Sequence, residues 1–182
     1  MQAASTWAFE PAHTRIGFSV RHFGIAETEG FFQHYSGTVI STEADFSDAQ
    51  VELTLEVGSL NTLDASRDQH LQSADFFDAA HHPQLYFSST SLTPSASGHY
   101  LLQGDLTMRG ITHPVSLDLV FGGVVPRDPF GHTKAGFYAS GTLNRKDWGI
   151  NWNTLLDTGG WAVSDTVTIR CQVELLLLTP AT

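Results

Sequence analysis

The chain lacks any long hydrophobic run. No stretch approaches the ~20 consecutive apolar residues that a helix needs to cross a bilayer, and the run 173–178 is interrupted by Glu174. We therefore expect no membrane insertion. Residues 1–7 show neither the basic nor the apolar segment of a secretory signal, which favours a cytoplasmic protein, or a periplasmic one if the chain is a processed form.

Basic residues and cysteine are also scarce. The net charge is −10, and the lysines are Lys134 and Lys146 alone. Binding to nucleic acid or to an anionic membrane depends on clustered Lys and Arg, so the charge argues against both partners. The single cysteine, Cys171, excludes an intramolecular disulfide. It shares the apolar face of its strand, where we expect a small buried side chain rather than a reactive thiol.

The sequence patterns of common catalytic and metal sites are missing. The chain contains no Gly-x-Ser-x-Gly elbow, no Gly-rich phosphate loop before a helix, and no familiar His or Cys metal spacing. The adjacent histidines His81 and His82 would point to opposite faces of a strand. We therefore expect no enzyme activity, no metal site and no required cofactor.

Period-2 alternation of apolar and polar residues recurs along the whole chain. It is typical of half-buried strands. The clear cases are residues 16–21, 51–57, 115–121 and 163–170, and the weaker ones are 32–40, 85–92, 100–107 and 135–143. About eight or nine strands separated by turn-rich clusters predict an all-β sandwich or closed barrel. No linker is visible, so we expect one domain spanning 1–182.

Residues 62–80 depart from the alternation. They contain helix formers, and Asp64 or Ser66 could cap a helix. We predict a short helical insertion here. Its Leu71, followed by the phenylalanine pair at 76–77, would pack against one rim as a lid or plug.

The inward faces of the predicted strands are apolar, which fits either a packed core or a ligand cavity. Periodicity alone favours the packed core, because side chains fill most small barrels. Gly17, Gly104 and Gly141 lie on strands, where they are consistent with room for a ligand and equally with bulges or bends.

Ordered motifs run along nearly the whole chain. The strongest is Arg-Asp-x-His-Leu-x-Ser-x-Asp-Phe-Phe-Asp at 67–78, and the others lie at 10–14, 16–22, 30–38, 59–62, 82–89, 104–115 and 144–150. Together they resemble the YceI-like family of polyisoprenoid-binding, lipocalin-like proteins. Glu10, Thr14 and Trp148 stand where that family more usually has Asp, Ser and Phe, and each change keeps the chemistry.

The resemblance implies an extended antiparallel β-barrel of about eight strands, a size whose interior can hold one ligand. It also implies that the ligand is a long-chain isoprenoid lipid, either a polyprenyl phosphate or an isoprenoid quinone, and that the protein is a homodimer. An isoprenoid tail suits an apolar tunnel because each buried CH₂ contributes about 0.8 kcal/mol. The resemblance therefore favours a cavity over a packed core. The predicted wall residues are Ile16, Phe18, Val20, Phe32, Val51, Leu53, Leu55, Phe76, Phe77, Phe87, Leu102, Leu106, Leu117, Leu119, Phe121, Phe137, Trp148, Val167 and Ile169.

Arg67, His70 and Arg145 are the candidates for binding the lipid head group at the mouth of the barrel. Arg offers paired donors to a phosphate. Structural roles compete with this hypothesis. We favour these structural alternatives: Arg67 fastens the helix to the barrel through an ion pair and turn carbonyls, and Arg145 lies in a solvated loop. Arg109 is predicted to be a structural clamp.

Three functions follow from these observations. The favoured one is non-enzymatic binding, storage or transport of the lipid. The alternatives are a hydrolase or isomerase acting on such a lipid, and a stress-response protein with a collapsed cavity that acts through a dimer interface.

Overall fold

The computed structural model describes residues 4–157 and 159–179. The strands are β1 Ser5–Phe9, β2 Arg15–His22, β3 Ala26–Phe32, β4 Tyr35–Ser41, β5 Gln50–Glu56, β6 Leu60–Asn61, β7 Gln84–Ala96, β8 His99–Met108, β9 Ile111–Val125, β10 Lys134–Asn144 and β11 Val163–Thr179. The α-helix α1 spans Ala65–Gln72, and short 3₁₀ turns span Val57–Ser59 and Arg145–Trp148. Within the described ranges, no helix has the length and apolarity to cross a membrane.

Antiparallel pairing closes the sheet into a barrel. The order is β1-β4-β5-β7-β8-β9-β10-β11, and β11 pairs back with β1. The long β11 pairs with β1 near its C-terminal end, where Leu175 faces Phe9, and with β2 further back, where Ile169 faces Phe18. Two other long strands are interrupted: β3 and β4 are the two parts of one, and β5 and β6 are the two parts of the other. The predicted all-β, eight-stranded barrel is confirmed.

One predicted strand, 32–40, is interrupted in the structure. It falls across the end of β3 and most of β4, which are separated by Gln33 and His34. The backbone N–H of Gln33 donates to the carbonyl of Ser59 (3.1 Å), and that of His34 donates to the Ser59 hydroxyl (2.9 Å). The prediction of a continuous strand was wrong because Ser59, distant in sequence, binds the chain at the break.

The connection between β8 and β9 is a two-residue turn. Arg109 and Gly110 have φ values of 53° and 72°, which suit the right-handed twist of a tight hairpin. Pro114 lies inside β9, although proline cannot donate a hydrogen bond to a neighbouring strand. It is tolerated because β10 pairs with β9 only from Asp118 onward, so this part of β9 is an edge.

The predicted helical insertion is present and begins at Asp64. The Asp64 carboxylate accepts a hydrogen bond from the Arg67 backbone N–H (3.0 Å), so Asp64 rather than Ser66 is the cap. After α1 a turn brings Phe76 into the core. Arg109 Nη1 donates to the carbonyls of Ala74 (3.1 Å) and Phe76, which confirms its predicted role as a clamp.

Glycine on β8 lets neighbouring side chains and backbone approach closely, and it leaves no room for a ligand. A Cβ on Gly104 would lie 2.5 Å from ring carbons of Phe87 and 2.6 Å from the Ser88 carbonyl oxygen. Gly141 is similar, since its Cβ would lie 2.8 Å from the carbonyl oxygen of Ser116. Close approach of neighbouring strands and rings explains these two glycines, and it was neither of the two interpretations offered for them.

Candidate ligand-binding cavity

The barrel encloses a cavity of about 600 Å³. This volume lies within the range of roughly 300–1,000 Å³ that is usual for small-molecule sites. Apolar clusters flank the cavity at its two ends, one containing Trp7, Phe46 and Leu175 and the other Val57 and Phe76. The interior between them is not filled by side chains, although the strand pattern alone favours a packed core.

The structure brings most of the predicted wall residues together around this one cavity. The lining includes Ile16, Phe18, Val20, Phe32, Val51, Leu53, Leu55, Phe76, Phe77, Phe87, Leu102, Leu106, Leu117, Leu119, Phe137, Val167 and Ile169. The head-group candidates Arg67, His70 and Arg145 also line it. They lie at the end formed by α1, the turn between β2 and β3, and the segments 150–157 and 159–162.

Trp148 lies behind the wall, and the expectation that it lines the cavity is corrected. Its ring is 2% exposed, its Nε1 donates to the Leu106 carbonyl (3.0 Å), and the His113 ring meets it edge-on at 5.3 Å. The 3₁₀ turn that carries Trp148 packs against β9 and β11. Its indole therefore packs between β8 and β9 instead of facing a ligand.

Phe121 is also absent from the cavity lining. Phe121 pairs with Phe137 in the β9–β10 ladder and shares its inward face, but it lies beyond the end of the cavity. Its ring packs on Phe46 (5.6 Å between centroids) and Phe137 (5.1 Å). Phe121 thus supports the end of the cavity from behind.

Phe46 fills one end of the barrel, and sequence analysis missed it. It belongs to residues 42–49, here named the closing loop, and adopts φ +62°. The buried ring lies 5.0 Å from the Trp7 ring and 5.0 Å from the Phe137 ring. One signal could have indicated its burial. Phe46 is a large aromatic among small and polar residues, and a large apolar side chain in such a segment is more often buried than solvated.

Asp48 organises the closing loop. Its carboxylate accepts hydrogen bonds from the Ser41 hydroxyl (2.5 Å), from the N–H and hydroxyl of Thr42, and from the Glu43 N–H (3.1 Å). Burial acts to raise the pKa of Asp48, but these hydrogen bonds together outweigh it and hold the pKa well below its ordinary value. The charged form therefore stabilises the loop.

Arg67 and His70 form the polar edge of the other end, here named the mouth. Arg67 donates through Nε to the Thr62 hydroxyl (2.8 Å) and through Nη2 to the Thr62 carbonyl (2.9 Å). Its Nη1 has no hydrogen-bond partner among the described residues. His70 Nε2 lies 2.9 Å from Asp75, and the His70 ring packs edge-on against Trp152 at 4.8 Å. Arg67 binds a turn carbonyl as predicted, but the predicted ion pair is absent from the described part of the chain.

Arg145 lies in the protein interior, so the favoured expectation of a solvated loop was wrong. It is 3% exposed and donates to the carbonyls of Ser164 (3.0 Å), Ile150 (2.8 Å) and Trp152 (2.8 Å). Nη2 lies 3.4 Å from Asp165. Burial lowers the pKa of Arg145, and Asp165 opposes that shift. All three guanidinium nitrogens are engaged, so Arg145 holds the segment 150–152 in place.

Cys171 lines the cavity on the same inward face as Val167 and Ile169, as its position in the strand predicted. Burial raises the pKa of its thiol to about 11. The thiol is therefore protonated and behaves as part of the apolar wall. Across residues 4–157 and 159–179, no three His, Cys, Asp or Glu side chains are grouped to hold a metal ion.

Known proteins resemble this chain in sequence and in fold. The YceI-like domain model matches residues 7–175. A UPF0312 protein of Staphylococcus aureus is 31% identical over 170 residues, which cover 93% of this chain and 96% of that protein. Its sequence therefore aligns with this barrel over nearly its full length.

Three solved structures have the same fold. Burkholderia cenocepacia BcnA superposes with a TM-score of 0.76 at 22% identity, covering 91% of this chain and 98% of its own. The Campylobacter jejuni YceI protein gives 0.73 at 25% identity, with coverages of 87% and 90%. A polyisoprenoid binding domain from Saccharophagus degradans gives 0.69 at 11% identity, with coverages of 94% and 98%. With a family match over nearly all of its length and this shared barrel, the chain belongs to the YceI-like domain family.

Proposed function

We propose that this protein binds a long-chain isoprenoid lipid in its barrel, and stores or carries it without chemical change. The observation that carries the proposal is the apolar cavity of about 600 Å³ with its polar edge at the mouth. Burial of an unbranched or isoprenoid tail stabilises the complex by about 0.8 kcal/mol per CH₂. The wall needs no specific hydrogen bonds to hold such a tail.

Two further observations support the proposal. The cavity is open in the structure, which argues against a protein whose barrel has collapsed on itself. The Saccharophagus degradans domain, which has the same fold, is a polyisoprenoid binding domain. The favoured ligands are a polyprenyl phosphate and an isoprenoid quinone, whose tails have the same chemistry and whose head groups differ.

The mouth favours an anionic head group at Arg67. This side chain is exposed, and its Nη1 is free to donate among the described residues, whereas Arg145 is buried and fully engaged. A phosphate oxygen is a strong acceptor for a guanidinium. His70, once protonated, would add a second donor, although Asp75 competes for it.

Native mass spectrometry paired with organic extraction tests the proposal. A stoichiometric adduct that extracts as an isoprenoid is the expected result, and the same spectra count subunits and so test for a homodimer. Ligand-free protein is then incubated separately with polyprenyl phosphate and with isoprenoid quinone. If neither compound gives an adduct, the proposal is overturned.

A pair of variants locates the bound tail. Val167→Trp places an indole in the cavity, whereas Thr166→Trp, on the neighbouring exposed position of β11, places it outside. We expect the first to abolish the adduct and the second to retain it. Equal binding by both variants would place the tail elsewhere.

Arg67→Gln tests the head group. Loss of a charged hydrogen bond should weaken polyprenyl phosphate binding about 10–100-fold, while quinone binding stays unchanged. Arg170→Gln, on the outer face beside Glu27, is the matched control. The melting temperature of each variant is measured as well, because Arg67 also holds Thr62.

A further inference from the structure

Large apolar side chains are exposed beside the mouth. Phe23, Ile25, Leu155 and Trp161 have exposed fractions of 45, 84, 63 and 61%, and together they are named the apolar rim. Isolated exposed apolar residues need no explanation, but several that cluster at one site mark an interaction surface.

Backbone contacts join the two turns that carry the rim. The Phe23 N–H donates to the Ala162 carbonyl (2.8 Å), and His22 pairs with Val163 at the end of the β2–β11 ladder. Leu155 and Trp161 face each other across an isolated β-bridge. The rim is therefore one surface built on paired strands.

The rim is continuous with the cavity wall. Phe23 is part of the rim and also lines the cavity, and Ala162, the neighbour of Trp161, and Leu156, the neighbour of Leu155, line it too. An apolar ligand leaving the cavity passes directly onto these side chains. Each CH₂ that instead enters water costs about 0.8 kcal/mol, so a long tail leaves the barrel far more easily into another apolar phase.

Charge indicates which kind of surface meets the rim. The protein carries a net charge of −10, which opposes an anionic surface. Arg21, next to the rim, faces Glu27 in the β2–β3 ladder, and Asp157 lies between Leu155 and Trp161. Lys146 is paired with Asp165 (2.8 Å). Contact would therefore depend on apolar side chains, and Trp and Phe suit the interfacial zone of a bilayer.

We propose that the apolar rim docks the barrel mouth onto an uncharged bilayer surface, so that the lipid passes between bilayer and cavity without crossing water. This docking rests on the proposed lipid-carrying function. A second copy of the chain is the competing occupant. Two rims in contact would seal both mouths, which opposes exchange of the ligand.

Sedimentation with phosphatidylcholine vesicles tests the docking. The ligand-free protein should partition onto the vesicles, and the double variant Ile25→Ser/Trp161→Ser should partition at least about tenfold less. Phe130→Ser is the matched control, since Phe130 is 83% exposed but lies in the turn between β9 and β10, at the other end of β11. Raising the salt concentration should leave partitioning of the wild type unchanged, because no charge pairing is involved.

The outcomes separate this proposal from the proposed function. Val167→Trp, whose cavity is filled, should still sediment with the vesicles, so docking is measured without ligand uptake. A wild type that stays in the supernatant, or a Phe130→Ser variant that loses binding equally, overturns the docking. So does a wild-type dimer that the rim double variant converts to a monomer in solution. Docking without any isoprenoid adduct would instead overturn the lipid-carrying function alone.

Discussion

The hydroxyl of Tyr100 donates a 2.8 Å hydrogen bond to the backbone carbonyl of Asp45, which ties strand β8 to the closing loop. Burial raises the pKa of Tyr100, so the hydroxyl remains the donor. Tyr100→Phe removes this bond alone and should lower the free energy of unfolding by about 0.5–1.5 kcal/mol in urea titration. Tyr138→Phe, at a well exposed position of β10, is the control. Equal stability of the two variants would contradict a role for the bond.

Phe46→Ala tests the closed end of the cavity. The buried ring packs on Trp7, Phe121 and Phe137, and its removal should lower the free energy of unfolding by about 3–5 kcal/mol. Phe130→Ala, at an exposed position, should change it by less than about 0.5 kcal/mol. A Phe46→Ala variant as stable as this control would show that the ring does not close the barrel.

The same substitution should also change ligand selection. Removing the ring extends the cavity beyond its present end, so Phe46→Ala should accept a longer isoprenoid tail than the wild type. Native mass spectrometry with a mixture of polyprenyl phosphates of increasing length measures this preference directly. An unchanged preference would place the end of the bound tail short of Phe46.

Much of the barrel could be predicted from the sequence because alternation is a local signal. Val51, Leu53 and Leu55 on β5 face inward as predicted, since side chains of a strand alternate between its two faces. Residues 163–170 alternate except at Asp165, and the β11–β2 register shifts at this point, between Val163 and Val167. The face that each side chain takes along one strand depends on its neighbours in the sequence.

The features that sequence analysis missed depend on residues far apart in the chain. Phe46 is buried because the rings of Trp7 and Phe137, from two other segments, both pack against it. Arg145 is buried because the carbonyls of Ser164 and Trp152 converge on its guanidinium. Neither convergence leaves a periodic pattern in the sequence, so the burial of Phe46 could not be predicted and Arg145 was expected in a solvated loop.

Acid should weaken the closing loop through Asp48. Its folded pKa lies below the unfolded value of 3.8, so the ionised carboxylate contributes stability above that pH and loses it as the pH falls through the folded pKa. Asp48→Asn should therefore be less stable than the wild type at neutral pH. The difference should shrink as the pH falls below 3.8. Urea titrations of both proteins across this range measure it, and a difference independent of pH would rule out the charge as its cause.

Cys171 provides a probe of the cavity, because it is the single cysteine and it lines the wall. With its pKa raised to about 11, the thiolate fraction at pH 8 is roughly 10²–10³-fold below that of an ordinary cysteine. Because only the thiolate reacts, we expect a thiol reagent to label the folded protein at least about 100-fold more slowly than the urea-unfolded protein. A bound lipid should slow labelling further, since the tail lies against the same wall, and Cys171→Ser corrects for background. Labelling of the folded protein as fast as the unfolded chain would contradict the buried thiol, whereas slow labelling that lipid leaves unchanged would place the tail away from β11.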